Sequence, residues 1–226
     1  MPGPLLIRKG PGYGRRNTRT ASVWPPQGSF GMIWLIIGLV VFLGVHSVRI
    51  AAPGFRHAQI DARGLNTWKG IYSLLSIAGF VILVWGYGMA RQDPVVFWIA
   101  PSWMSHVVAL LMIPVMILLV AAQVPAGRIK AAVKHPTLLA VKIWALAHLL
   151  VNGDLASVIL FGGFLAWAVV DRISEKKRLR AGLTTNPVAG PVKWDIIAVA
   201  GGLILYVLFI LFLHKWLIGV PPIIGI

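Results

Sequence analysis

Stretches of about twenty apolar residues recur along this chain, and that recurrence leaves few folds open. In hydrocarbon every backbone N–H and C=O must find a partner within its own segment or in a closed barrel, so runs this long and this apolar are helices. The pattern predicts spans over 32–49, 68–89, 104–124, 136–152, 155–172 and 194–217, with Pro114 kinking the third and the fourth short for a span. Composition agrees: 58% of the 226 residues are hydrophobic and 12% charged. The expected fold class is therefore all-α, a polytopic integral membrane bundle of about six helices. Residues 1–31 are rich in Gly, Pro and Arg and lack periodicity, so they are expected to be a disordered basic segment. The transmembrane domain is expected over 32–217, followed by a short tail at 218–226. No internal repeat points to an inverted-repeat transporter, and no acidic residue is placed well inside a span to relay protons.

The net charge of +15 would suggest nucleic acid in a water-soluble chain. Here no nucleic-acid signature accompanies it, and the cations fall where topology needs them. The connections after the first, third and fifth spans, counted to the helix ends, hold Arg49, Arg56, Arg63, Lys69, Arg128, Lys130, Lys134, Arg172, Lys176, Lys177, Arg178, Arg180 and Lys193. The other side holds Arg91 and Lys215. The positive-inside rule puts the first group in the cytoplasm of a bacterial inner membrane and both termini outside. Arg8, Lys9, Arg15, Arg16 and Arg19 oppose that orientation, which leads to the expectation that the mature protein starts at Met32. The expected partners are the lipid bilayer and a lipophilic or nitrogen-oxide ligand, with no nucleic acid; the sequence leaves oligomeric state open.

There is no cysteine, which removes disulfides, thiolate ligands and covalent haem attachment. Attention then falls on polar groups inside the spans. His46 lies in LGVHSVRI, with Arg49 three residues on and so on the same side of the helix. The stretch HPTLLAVKIWALAHLLVNGD starts a helix at His135-Pro136, carries Lys142 and His148 within it, and stops at Asn152-Gly153 before Asp154, a good cap for the next helix. Lys142 reads first as a lysine snorkelling to the interface. His57, His106, His135 and His214 read as interfacial. His46 and His148 are either interhelical hydrogen-bonding groups or ligands of a metal or haem, and residue physics leaves both open.

Three segments carry a resemblance: GVHSVRI (44–50), WKGIYSLLSIAGFVILVWGYG (68–88) and HPTLLAVKIWALAHLLVNGD (135–154). In this order the chain resembles the NnrU family of bacterial integral membrane proteins over about 32–217. That family is named for an association with nitrite and nitric oxide reduction in denitrification. It is similar in turn to the 15-cis-zeta-carotene isomerases, which hold a b-type haem. The resemblance implies haem b as cofactor, His46 and His148 as its axial ligands, and His135 as a further motif histidine with which His46 forms a fallback pair. Arg49, Arg56 and Lys142 would supply counter-charges for the propionates. Ala145 stands where the plant isomerase has a cysteine, so thiolate chemistry is not available here. The implied function is a haem-binding protein of nitrite and nitric oxide metabolism. The alternatives are a haem-dependent cis–trans isomerase of a lipophilic polyene, or a cofactor-free assembly or regulatory factor.

Overall fold

The computed structural model describes residues 27–223. The expected disorder of the basic segment lies, up to residue 26, outside the described residues. Helix α1 runs Gln27–Ala51, five residues ahead of the predicted start. It is followed by α2 (Pro53–Arg63), α3 (Leu65–Ala90), α4 (Met104–Gln123), α5 (Arg128–Val133), α6 (Pro136–Val151), α7 (Leu155–Arg180), α8 (Lys193–Leu208), a π-helical turn (Phe209–Leu213) and α9 (His214–Ile218). Among the described residues there is no strand, only an isolated antiparallel bridge between Val96 and Asp154. Among the described residues five segments are long and apolar enough to cross a membrane: α1, α3, α4, α7 and the continuous α8–α9 helix. The sixth apolar helix, α6, has 16 residues, about 24 Å at 1.5 Å per residue. It lies between α4 and α7, where Ala140, Ala145 and Ala147 are fully buried. This is an all-α membrane bundle, as the hydropathy pattern requires.

The helices pack in the order α3–α1–α7–α6–α4–α8, so neighbours in space do not follow the chain order throughout. The ends confirm the alternation of sides. At one end Asp195, opening α8, accepts hydrogen bonds from Arg128 N and Ile129 N at 2.9 Å each, which caps α5 from a distant helix. Lys130 Nζ donates to Ala122 O and Val124 O, closing the exposed carbonyls of α4. At the other end Asp154 caps α7 through Ser157 N, and its second oxygen takes the Ser157 hydroxyl at 2.6 Å. Tyr87 Oη meets the same buried hydroxyl at 2.9 Å. The segment after α3 is strapped to this corner by Phe97 N to Gly153 O and Leu155 N to Val95 O. The Asn-Gly-Asp sequence is therefore an architectural corner. Asp195→Ala should strand two amides and cost about 1–2 kcal/mol, with Asp195→Asn losing roughly half of that. Thermal unfolding in detergent measures it.

The tightest seam is α1 against α3. Gly38 and Gly86 have no room for a Cβ: it would overlap the backbone of Leu83 in one case and of Trp34–Leu35 in the other. Small residues let helix backbones approach where the hydrophobic effect does not drive association. Gly38→Leu should force the helices apart and cost about 1–3 kcal/mol, read as a lower unfolding temperature. Outside the seam, Val40, Leu74, Ile77, Val81, Ile196, Ile204 and Phe212 are exposed, the pattern of a lipid-facing surface.

Candidate functional site

Two helical stripes meet beside the α1–α3 seam. On α1, Phe42, Val45, His46 and Arg49 follow the i, i+3, i+4, i+7 spacing of one face. On α3, Lys69, Tyr72, Ser73, Ser76, Ile77 and Phe80 do the same. Together they line a cleft with two lobes. The outer lobe, 370 Å³, is bounded by His46, Arg49, Lys69, Tyr72 and Ser73, with Arg56 of α2 and Trp68 at its mouth. The inner lobe, 340 Å³, is bounded by Phe42, Ser76, Ile77 and Phe80, and shares His46, Tyr72 and Ser73 with the outer one. The outer lobe is half enclosed and of the size that holds small ligands, while the inner one is a shallower depression open along Ile77 and Phe80.

His46 stands at the junction. Its Nδ1 lies 2.7 Å from Phe42 O. A carbonyl only accepts, so Nδ1 carries the proton and donates it, leaving the Nε2 lone pair available. Nε2 has no hydrogen-bond partner among the described residues. A backbone carbonyl fixing the far nitrogen is the arrangement by which proteins orient a ligating histidine. Phe42 lies against the ring at 4.3 Å, Tyr72 is edge-on at 5.3 Å, and Trp167 is perpendicular at 6.1 Å. Ser76 Oγ and Trp167 Nε1 are buried beside it with no hydrogen-bond partner.

The charges around the mouth are not equivalent. Arg49 lies 3.6 Å from Glu175, which is 8% exposed. Arg178 pairs with the same carboxylate and with Asp171 at 3.6 Å, and donates to Ser174 Oγ at 2.8 Å and to Arg49 O at 3.4 Å. The two arginines and two carboxylates balance. Arg56 and Lys69 have no ion-pair partner among the described residues. The sequence reading ended the fifth span at Arg172; α7 instead continues to Arg180, and Gly182 at φ 69° follows it. Asp171 and Glu175 ride on this charged end of α7, one turn apart, and their partners come from α1 and from α7 itself. The segment DRISEKKRLR holds no glycine or proline, which was the available signal for an unbroken helix.

The structure does not bring the other sequence candidates into this cleft. His148 donates Nδ1–H to Trp144 O at 2.8 Å and stacks on Phe161 at 4.9 Å. His46 neighbours Trp167 and His148 neighbours Phe161, six residues apart on α7. Those two α7 positions are about 9 Å apart along the helix axis. The linked rings of Phe42, Phe164 and Trp144 run between the two imidazoles. No ring contact joins the two imidazoles directly among the described residues; α1, α6 and α7 all contribute side chains to the core between them. His135 ends at the start of α6 near Asp171, Arg172, Glu175 and Arg178; burial pushes its pKa below the ordinary range, and Glu175 opposes that. Lys142 has Arg172 and Lys176 as its charged neighbours, so it does not serve the cleft. Lys69, Tyr72, Ser73 and Ser76, which the sequence reading did not single out, do line it. Among the described residues no group of three or more His, Asp or Glu could hold a metal ion by itself.

Comparison with curated proteins and with solved structures finds no match. A family model described as NnrU protein matches residues 34–222, which covers the spanning helices apart from the first turns of α1, and every cleft residue named above. The chain belongs to the NnrU family.

Proposed function

We propose that this protein holds a b-type haem in the α1–α3 cleft through His46 and serves nitrite and nitric oxide metabolism. The observation that carries the reading is the His46 imidazole. Its proton is committed to Phe42 O and its Nε2 faces no protein partner, in a cleft with cations at the mouth and apolar walls within. Bound there, the haem would supply an iron centre able to bind small nitrogen oxides. The protein's own part is to orient and shield. Phe42 holds the imidazole in one tautomer, and Phe42, Ile77 and Phe80 exclude water. Arg56 and Lys69 attract carboxylates, with Arg49 beside them. The test is the absorbance of protein purified in mild detergent from haem-replete cells. A Soret band supports the reading; no band and no uptake of added haem defeats it, and leaves a cofactor-free assembly factor.

The inner lobe favours a second reading, a haem-assisted cis–trans isomerase of a lipophilic polyene. Ile77 and Phe80 wall that lobe and are themselves 62% and 50% exposed on the outer surface, so an apolar chain could enter from the membrane. A polyene isomerisation assay on haem-loaded protein separates the two. The proposed setting is the bacterial cytoplasmic membrane, with α2, α5 and the 181–192 connection inside and both termini outside. A periplasm-only reporter fused at Gly182 should be silent and one fused after Leu217 active; the opposite pattern reverses the orientation.

A further inference from the structure

We infer that the outer lobe of the cleft is a binding site for one anionic phospholipid drawn from the leaflet on the α2 side. Charge complementarity points to it. Asp171 and Glu175 balance Arg49 and Arg178, so the mouth is left with two uncompensated cations, Arg56 from α2 and Lys69 from the first turns of α3. Among the described residues no carboxylate lines either lobe. Two cations without an internal anion suit a phosphate diester.

The surroundings select a lipid over a free phosphate. The α2 helix, PGFRHAQIDAR, has no buried residue and sets Phe55 against Trp68 at 6.3 Å. Short amphipathic helices with aromatics on one side and cations on the other lie in the headgroup layer. Below the cations the outer lobe passes Tyr72 and Ser73 into the apolar inner lobe, whose walls Ile77 and Phe80 open to the membrane. The head thus meets charge and hydroxyls while an acyl chain follows the inner lobe. Attraction of an anionic membrane to each exposed cation corresponds to about a fivefold change in affinity, so the pair should supply roughly 25-fold.

This stands apart from the haem reading, since it needs neither iron nor His46. Where both hold, haem and lipid compete for Arg56 and Lys69, and haem uptake releases lipid. The test uses haem-free, delipidated full-length protein in an uncharged detergent, titrated with phosphatidylglycerol or phosphatidylcholine and read by native mass spectrometry. One phosphatidylglycerol should be retained under conditions that strip phosphatidylcholine. Arg56→Gln with Lys69→Gln should weaken that first adduct roughly 25-fold. Arg56→Lys with Lys69→Arg, which keeps both charges, should retain it, as should Lys176→Gln with Lys177→Gln as a control for net charge. Equal retention of the two lipids overturns the proposal, as does a double glutamine variant that binds like the parent. Displacement by soluble glycerol phosphate as readily as by phosphatidylglycerol would make it a free-phosphate site and overturn the lipid assignment.

Discussion

Arg178→Ala is expected to be among the most damaging single substitutions in the described part of the chain. Arg178 touches Asp171, Glu175, Ser174 and the α1 carbonyl of Arg49, and so joins α1 to α7 at the basic end of the bundle. Its loss leaves two carboxylates one turn apart on the same helix, one of them 8% exposed, with only Arg49 to answer both. Breaking a buried ion pair from one side typically costs 3–5 kcal/mol; Arg49 is half exposed and can shift, so about 3 kcal/mol is expected. For a chain of this size that lowers the unfolding temperature by roughly 6–12 °C. Arg178→Ala combined with Glu175→Gln should recover much of the loss, because the second change removes the stranded charge. Thermal unfolding of the single and double variants in one detergent checks this, and equal destabilisation by both would show that packing rather than charge holds the corner.

His46→Ala should abolish haem uptake while the bundle still inserts and unfolds cooperatively. The imidazole is partly buried between α1, α3 and α7, and its removal takes the one nitrogen the cleft offers to an iron. Losing a sole axial ligand should weaken haem binding by at least tenfold, the equivalent of about 1.4 kcal/mol. His148→Ala should leave uptake within a few-fold of the parent, since His148 packs against Phe161 and lines neither lobe of the cleft. His135→Ala should do the same. A Soret titration of the three variants decides among them. Loss of uptake in His148→Ala with the fold intact would mean that the aromatic rings between the two histidines move aside on binding.

The long helices were legible because hydropathy over about twenty residues is the constraint that a bilayer imposes. What escaped was of two kinds. The α2 helix has no apolar run, only an alternation of Phe55, Ile60 and cations over eleven residues, and an interfacial helix of that length lies below the reach of a spanning-window argument. The end of α7 escapes a reading in which charge stops a span, whereas Arg178 pairs with Asp171 and Glu175, seven and three residues before it, within one helix. The site was legible in part. His46 and Arg49 do share the cleft, and the motif 68–88 contains its α3 wall as a clean stripe from Lys69 to Phe80. The pairing of His46 with His148 came from the resemblance and not from depth. Position along the helices differs between the two, since α1 ends a turn or so beyond His46 whereas His148 lies three turns into α6. Nor could spacing along one helix show that Glu175 would occupy Arg49, because that contact joins segments 126 residues apart, and sequence order says nothing about which helices α7 packs against.

The central claim is a ligand cleft served by a single histidine at the α2 end of α1 and α3. The spin state of the ferric haem-loaded protein, read by its absorbance and electron paramagnetic resonance, tests it most directly. One imidazole on the iron predicts a high-spin spectrum that His46→Ala abolishes and His148→Ala leaves in place. A low-spin spectrum lost in both His46→Ala and His148→Ala, or a parent protein that takes up no haem at all, would contradict it.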